Sequence, residues 1–301
     1  MTQIIEARTR TVGGLPVARC LPTRERRSVG AFVFLDELGP VTLPAGEGLD
    51  VPPHPHIGLS TLTYRLSGEL VHRDSLGCTQ VIRPEAVNWM TAGAGIAHSE
   101  RSAPSERGPA LEVHGVQLWA ALPPDLETCE PSFEHHPAEA LPRLGLGAVD
   151  VRIIAGAAFG EVAPVTVHSR LFCAEARWSG TGALTLDPGL GERAAYPLVG
   201  EVEHEGVRHG RGRLVVFDEG ERVELTASEG TRVLLIGGDP REAPLHMHWN
   251  YVASDPARID AAKRRWADGG FGDVVGDAGA RAEDPMPGKP GPPRGGSDGP
   301  S

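Results

Sequence analysis

The chain has 301 residues, of which 40% are hydrophobic, and carries a formal net charge of −11. That is enough apolar material for two ordinary domains, which excludes wholesale disorder. The acidic surplus leaves no basic face for gripping phosphate backbones, so direct nucleic-acid binding is not expected.

Glycine (39) and proline (27) are abundant while aromatics are only 5%, a mix that favours short strands and frequent turns. Residues 1–10 are polar and mixed in charge, and no apolar run approaches the ~20 residues of a bilayer span. No secretory leader or membrane segment is therefore expected, and the cytoplasm is the expected location. Cys20, Cys78, Cys129 and Cys173 are widely spaced without a CxxC pair and read as free thiols.

In chain order, residues 31–35 form the first clear β-like run, ending at Asp36 before Gly39-Pro40 breaks the chain. Residues 59–64 and 69–73 flank Ser67-Gly68 and predict a hairpin. Shorter runs follow at 81–83, closed by a turn at Pro84, and at 87–91 and 114–121. Residues 123–142 are rich in proline and acid and weakly periodic, which reads as a linker. A second set of strands is expected at 151–154, 165–173, 183–186, 194–198, 214–217 and 232–236, with a hairpin at 200–206.

One helix is signalled near the end. Ser254 or Asp255 can cap it, Pro256 suits its first turn, Ile259, Ala262 and Trp266 share a face, and Gly269-Gly270 stops it. From Asp277 onward the chain holds six glycines and six prolines and no aromatic or β-branched residue. Such a segment buries too little to offset its ordering entropy, so disorder is expected. The reading is an all-β protein of two antiparallel barrels with a short C-terminal helix. The first domain spans residues 1–135, the second 136–272, and a disordered tail 273–301.

The chemistry concentrates in His54-Pro55-His56 and, 42 residues on, His98-Ser99-Glu100. Side chains alternate across a strand, so each pair delivers two ligands to one face. Two such strands side by side place three imidazoles and a carboxylate around one point. That donor set suits a borderline divalent ion, Fe(II), Mn, Co, Ni, Cu or Zn. His246-Met247-His248 repeats the first spacing, but no HxE follows it, so a structural role is expected and one ion per chain. His135-His136, in the linker, read as solvated.

These stretches resemble the pirins, a branch of the cupin superfamily. The resemblance rests on residues 54–64, 72–77, 89–93 and 95–100, with support from 32–36, 114–119 and 249–253, and it runs from about Val12 to Gly272. It implies a bicupin fold of jelly-roll-like barrels, with His54, His56, His98 and Glu100 as metal ligands in the first and no metal in the second. The wider cupin pattern has a glutamate ligand four residues after the second histidine; Ser60 stands there, so Glu100 must supply the carboxylate. Pirins tend to have Pro-Gly-Asp where this chain has Pro84-Glu85-Ala86, and a glutamate at the third turn position points to a type I turn. His72 is a candidate for orienting a metal ligand from behind, and Asp74 for accepting backbone N–H groups in a turn.

The resemblance implies an iron-type dioxygenase of flavonol-like substrates such as quercetin, with Fe(II) first among the metals and Glu100 as catalytic base. It equally implies a rival: a metal- and redox-responsive protein that regulates a protein partner and turns nothing over. A roomy, partly apolar pocket opening onto the ligands would favour the enzyme.

Overall fold

The computed structural model describes residues 2–103 and 107–284. Its first twelve strands are β1 (Gln3–Glu6), β2 (Arg8–Val12), β3 (Leu15–Leu21), β4 (Phe32–Leu43), β5 (Asp50–His56) and β6 (Leu59–Ser67), then β7 (Leu70–Asp74), β8 (Thr79–Ile82), β9 (Val87–Thr91), β10 (Ile96–Ser102), β11 (Leu111–Ala121) and β12 (Ser132–His136). Two antiparallel sheets build the first barrel. The larger runs β12-β9-β6-β11-β4-β3-β2 and the smaller β5-β10-β7-β8.

The second half repeats the plan. Its larger sheet includes Val149–Ala158, Leu171–Trp178, Arg232–Gly238, Glu192–Val199 and Arg213–Phe217, and its smaller sheet packs over it. Among the described residues the fold is an all-β bicupin with one α-helix, α1 (Pro256–Ala267).

The two larger sheets face each other, and alternation along their strands assigns side chains to two different interiors. On β11, Leu118 and Ala120 join the core between the halves, while Gln117 and Trp119 line the inside of the first barrel. Leu35, Leu62 and Trp89 meet Ile154, Tyr196 and Leu234 across that core. Two buried carboxylates fix the match reciprocally. Tyr64 donates to Glu175 Oε2 at 2.6 Å, and Tyr196 donates to Glu37 Oε2 at 2.7 Å. Glu175 also accepts from Arg177 and Arg232, and Glu37 from Arg211, so neither buried charge is left alone.

The structure corrects several sequence expectations. Strand β4 runs straight through Gly39-Pro40, where the ladder with β11 carries a bulge between Val113 and Gly115. Gly39 has φ +79°, and a Cβ there would meet Val113 O at 2.0 Å, so glycine permits the bulge and does not end the strand. The expected linker contains β12, which pairs with β9 and buries no wholly apolar stretch. His135 is tied to Asn88 Oδ1 at 2.7 Å and is not simply solvated.

The Arg83-Pro84-Glu85-Ala86 turn has Glu85 at φ +68°, the type II geometry and not type I. Left-handed backbone costs a non-glycine residue about 1 kcal/mol. Glu85 offsets this by pairing with Arg152 at 2.7 Å and with Arg177, both from the second half.

Helix α1 is capped by Asp255, whose side chain accepts from Ala257 N at 2.9 Å, and it buries Ile259, Ala262 and Trp266. It packs on Ile57 and Ala97 of the first barrel, although it follows the second in sequence, and β1 conversely pairs with Arg213–Phe217 of the second. Strand β1 and helix α1 thus each pack on the half that lies farther from them in sequence.

Residues 273–284 also lie against the first barrel. Asp277 takes Arg101 Nε at 2.6 Å, Ala282 N donates to Pro53 O at 2.8 Å, and Arg281 stacks over Trp266 at 3.6 Å. Val274 is buried in the cluster with Ile57 and Ala97, and from Asp277 on polar and backbone contacts hold the stretch, which is why an apolar count misses it. The rest of the expected disordered tail, 285–301, lies outside the described residues.

Candidate metal centre

Strand β5 carries His54 and His56 and β10 carries His98. The two pair antiparallel with His54 opposite His98 and His56 opposite Ile96. The strand period turns all three imidazoles inward, with ring centroids 5.0 Å (His54–His56), 4.3 Å (His54–His98) and 5.0 Å (His56–His98) apart. Their ligand nitrogens lie within 4.8 Å of one another, and among the described residues theirs is the group of three or more donors placed to hold a metal ion.

Hydrogen bonding fixes the tautomers. His54 Nδ1–H donates to Pro52 O at 2.8 Å, leaving Nε2 with its lone pair. Behind His98, Asp74 Oδ2 lies 2.9 Å from His72 Nε2, and His72 Nδ1 lies 3.3 Å from His98 Nδ1. A carboxylate only accepts, so His72 Nε2 carries the proton, His72 Nδ1 accepts from His98 Nδ1–H, and His98 Nε2 is bare. His98 Nε2 and His56 Nδ1 are both buried without a hydrogen-bond partner, the state of a nitrogen awaiting a cation. Burial lowers the pKa of His54, and burial reinforced by the neighbouring His54 lowers those of His56 and His98 well below the ordinary value. All three are neutral and can coordinate.

Glu100 sits apart from this triad. The ladder with β5 slips between His98 and Glu100, and the carboxylate turns toward β6, where Thr63 Oγ1 lies 3.2 Å from Oε1. Thr63 Oγ1 is also 2.9 Å from Gln117 Oε1. A hydroxyl has one proton to give, and the charged carboxylate draws it more strongly. Glu100 lines the same cavity as the three histidines, and its charge favours the protonated form of His54.

His72 and Asp74 occupy the supporting position described above, and Asp74 Oδ1 also accepts from the backbone of Leu76 and Cys78. Sequence reading missed Phe133, which stacks on His72 with centroids 4.2 Å apart and comes from the expected linker. No residue spacing pointed to it; only the β9–β12 pairing brings it there. His248 bonds Asp284 Oδ1 at 2.8 Å and does not approach the triad.

The ligands open onto a cavity of about 610 Å³ inside the first barrel. Phe34 and Trp119 stack along one wall with centroids 3.9 Å apart, and the Trp119 ring meets His56 edge-on at 5.1 Å. Met247, Trp249 and Ala282 come to the same cavity from the C-terminal region. The four cysteines are free. Burial pushes the Cys20 thiol up to about 12 and that of Cys173 higher still, so both are inert packing groups. No helix among the described residues is long and apolar enough to cross a membrane.

Comparison with known proteins places this architecture. The pirin sequence profile matches residues 14–120, and that of the pirin C-terminal cupin domain matches 174–272. A pirin-like protein of Caulobacter vibrioides is 44% identical over 88% of this chain and 93% of its own length. The crystal structure of quercetin 2,3-dioxygenase from Acinetobacter baumannii superposes with a TM-score of 0.89 at 38% identity, covering 97% of each chain. A bacterial pirin from Escherichia coli, solved with nickel(II), shares the fold at 19% identity, with a TM-score of 0.64 over 80% of this chain and 100% of the other. A buried histidine triad in the first of two cupin barrels, joined to these matches over both halves, makes the chain a member of the pirin family.

Proposed function

We propose that this protein is a metal-dependent dioxygenase acting on flavonol-like aromatic substrates, with His54, His56, His98 and Glu100 holding one divalent ion, Fe(II) first among the candidates. The observation that carries the reading is the cavity: bare ligand nitrogens of neutral, buried imidazoles open onto a partly apolar space of about 610 Å³ with an aromatic wall. A regulator that turns nothing over has no need of such a space beside its ion. The likeness to a quercetin 2,3-dioxygenase at 38% identity supports the same substrate class.

When bound, the ion supplies Lewis-acid polarisation of a substrate oxygen and redox coupling to O₂. The protein supplies the rest. The stacked Phe34–Trp119 pair gives the cavity an aromatic, apolar side against which a planar ring system can pack. Glu100 takes the proton of the substrate hydroxyl onto a carboxylate oxygen, and the Thr63 hydroxyl steers that carboxylate. The His72–Asp74 pair holds the His98 ring in its coordinating tautomer. The barrel wall keeps bulk water from the deprotonated ring.

The test is aerobic loss of flavonol absorbance with metal-reconstituted protein beside a metal-free control. Glu100→Gln keeps an oxygen donor of similar size and removes the basicity. Turnover is expected to fall by ~10²–10⁴-fold, a larger factor than the loss of metal. Wild type with no turnover above the control on any of several flavonols would sink this substrate class.

A further inference from the structure

The larger sheet of the first barrel presents three parallel rows of side chains to the cavity, set by its ladder register. Val17, Leu38, Gly115 and Arg65 align in one, Arg19, Asp36, Gln117 and Thr63 in the next, and Phe34 and Trp119 in the third. The middle row is polar along its whole length. It begins at Thr63, which bonds Glu100 beside the metal ligands, and ends at Asp36, which Arg19 grips through Nε and Nη2 at 2.7 Å each.

Neighbouring strands lie about 4.8 Å apart, so two strand steps put Asp36 about 10 Å from Thr63. Asp36 is buried, lines the cavity, and has carboxylate lone pairs that Arg19 does not use. The Phe34 ring, with Arg19 stacked over it at 4.4 Å, flanks the same end. The cavity thus has polar groups at both ends of its middle row, Thr63 beside Glu100 at one and Asp36 at the other, next to the Phe34–Trp119 stack.

We propose that Asp36, positioned by Arg19, is a second anchor that accepts a hydrogen bond from a substrate hydroxyl about 10 Å from the one facing Glu100, so that the site selects planar polycyclic phenols with hydroxyls at both ends. This deepens the flavonol reading and rests on it. Arg19 takes one acceptor position on each oxygen and fixes the carboxylate plane, and the positions it leaves are those a hydroxyl in the cavity would use. A ligand without the distal hydroxyl leaves a buried charge short of a donor and binds more weakly.

The experiment is calorimetric titration of the full chain, reconstituted with Fe(II) and kept anaerobic so that nothing turns over. Quercetin is compared with 3-hydroxyflavone, which has the same metal-facing hydroxyl and carbonyl but no distal hydroxyls. A hydrogen bond to a charged group predicts a preference for quercetin of roughly tenfold to a hundredfold in wild type. Asp36→Asn is expected to reduce that preference several-fold while leaving 3-hydroxyflavone affinity and metal content unchanged. If Asp36→Asn does not fold, Arg19→Lys, which holds the carboxylate through one donor in place of a fork, is read in the same way. An equal affinity for both ligands in wild type, or an undiminished preference in the variant, overturns the second anchor and leaves the flavonol reading standing. If neither ligand binds wild type, the flavonol reading falls and this inference falls with it.

Discussion

The two barrels share a plan but differ in what fills them. In the second, Trp178, Leu184, Val202, Phe217 and Leu225 pack into a continuous apolar cluster. In the first, the corresponding space is lined by histidines, a glutamate, a threonine and an ion pair, and stays open. The strand frame is therefore indifferent to its contents, and inward-facing residues at alternate positions decide whether a barrel is a core or a site. The first barrel gives up part of its apolar interior to the cavity and draws further packing from outside, through the core between the two facing sheets, through α1, and through residues 273–284.

Predictions that could break this contrast follow from the largest effect downward. His98→Ala should reduce bound metal from about one ion per chain to near zero by elemental analysis, with the fold retained. Retention at the wild-type level would refute the coordination set, and anomalous scattering from a second ion in the C-terminal barrel would erase the contrast itself. Next, Trp178→Ala should cost ~3–5 kcal/mol of stability in denaturant unfolding, because it empties a filled core. Trp119→Ala, at a wall already facing open space, should cost about 2 kcal/mol. Equal costs would mean that the first cavity is as tightly packed as the second.

Smaller still is the docking of the C-terminal stretch. Asp277→Ala should lower stability by about 1 kcal/mol at neutral pH, since a partly buried, doubly bonded ion pair is lost. Hydrogen bonds from Arg101 hold the Asp277 carboxyl well below the usual carboxylate range. Its contribution is then present above the unfolded pKa of about 4 and is lost as pH falls toward the folded value. The melting difference between wild type and variant should be constant above pH ~5 and shrink below pH ~3. A difference that grew on acidification would show that Asp277 is not held by its charge.

The inward-facing histidine triad is legible in sequence because strand geometry fixes it locally: a spacing of two is enough to put two imidazoles on one face. Helix α1 was legible for the same reason, its cap, first-turn proline and apolar face all lying within a dozen residues. What escaped needed partners far along the chain. Glu85 was assigned the wrong turn because local preference opposes a positive φ there, and the arginines that overcome it stand at 152 and 177. Phe133 was hidden in a proline- and acid-rich stretch whose strand is defined only by β9. The row from Arg19 to Thr63 could not be read at all without ladder register, since four strands contribute one residue each.

The crossed ends of the chain bear on its biosynthesis. Strand β1 finds its ladder partner roughly two hundred residues later in the chain, with Gln3 opposite Val216. The first barrel likewise completes its rim only once α1 and the stretch around Asp277, both beyond the second barrel in sequence, have been made. Until then Glu37 and Tyr64 lack the partners that the second half supplies, and an apolar sheet face stands uncovered. A nascent chain halted near the middle would therefore hold an adhesive intermediate and not a finished domain, and the half that carries the histidine triad closes only after the second half has been made.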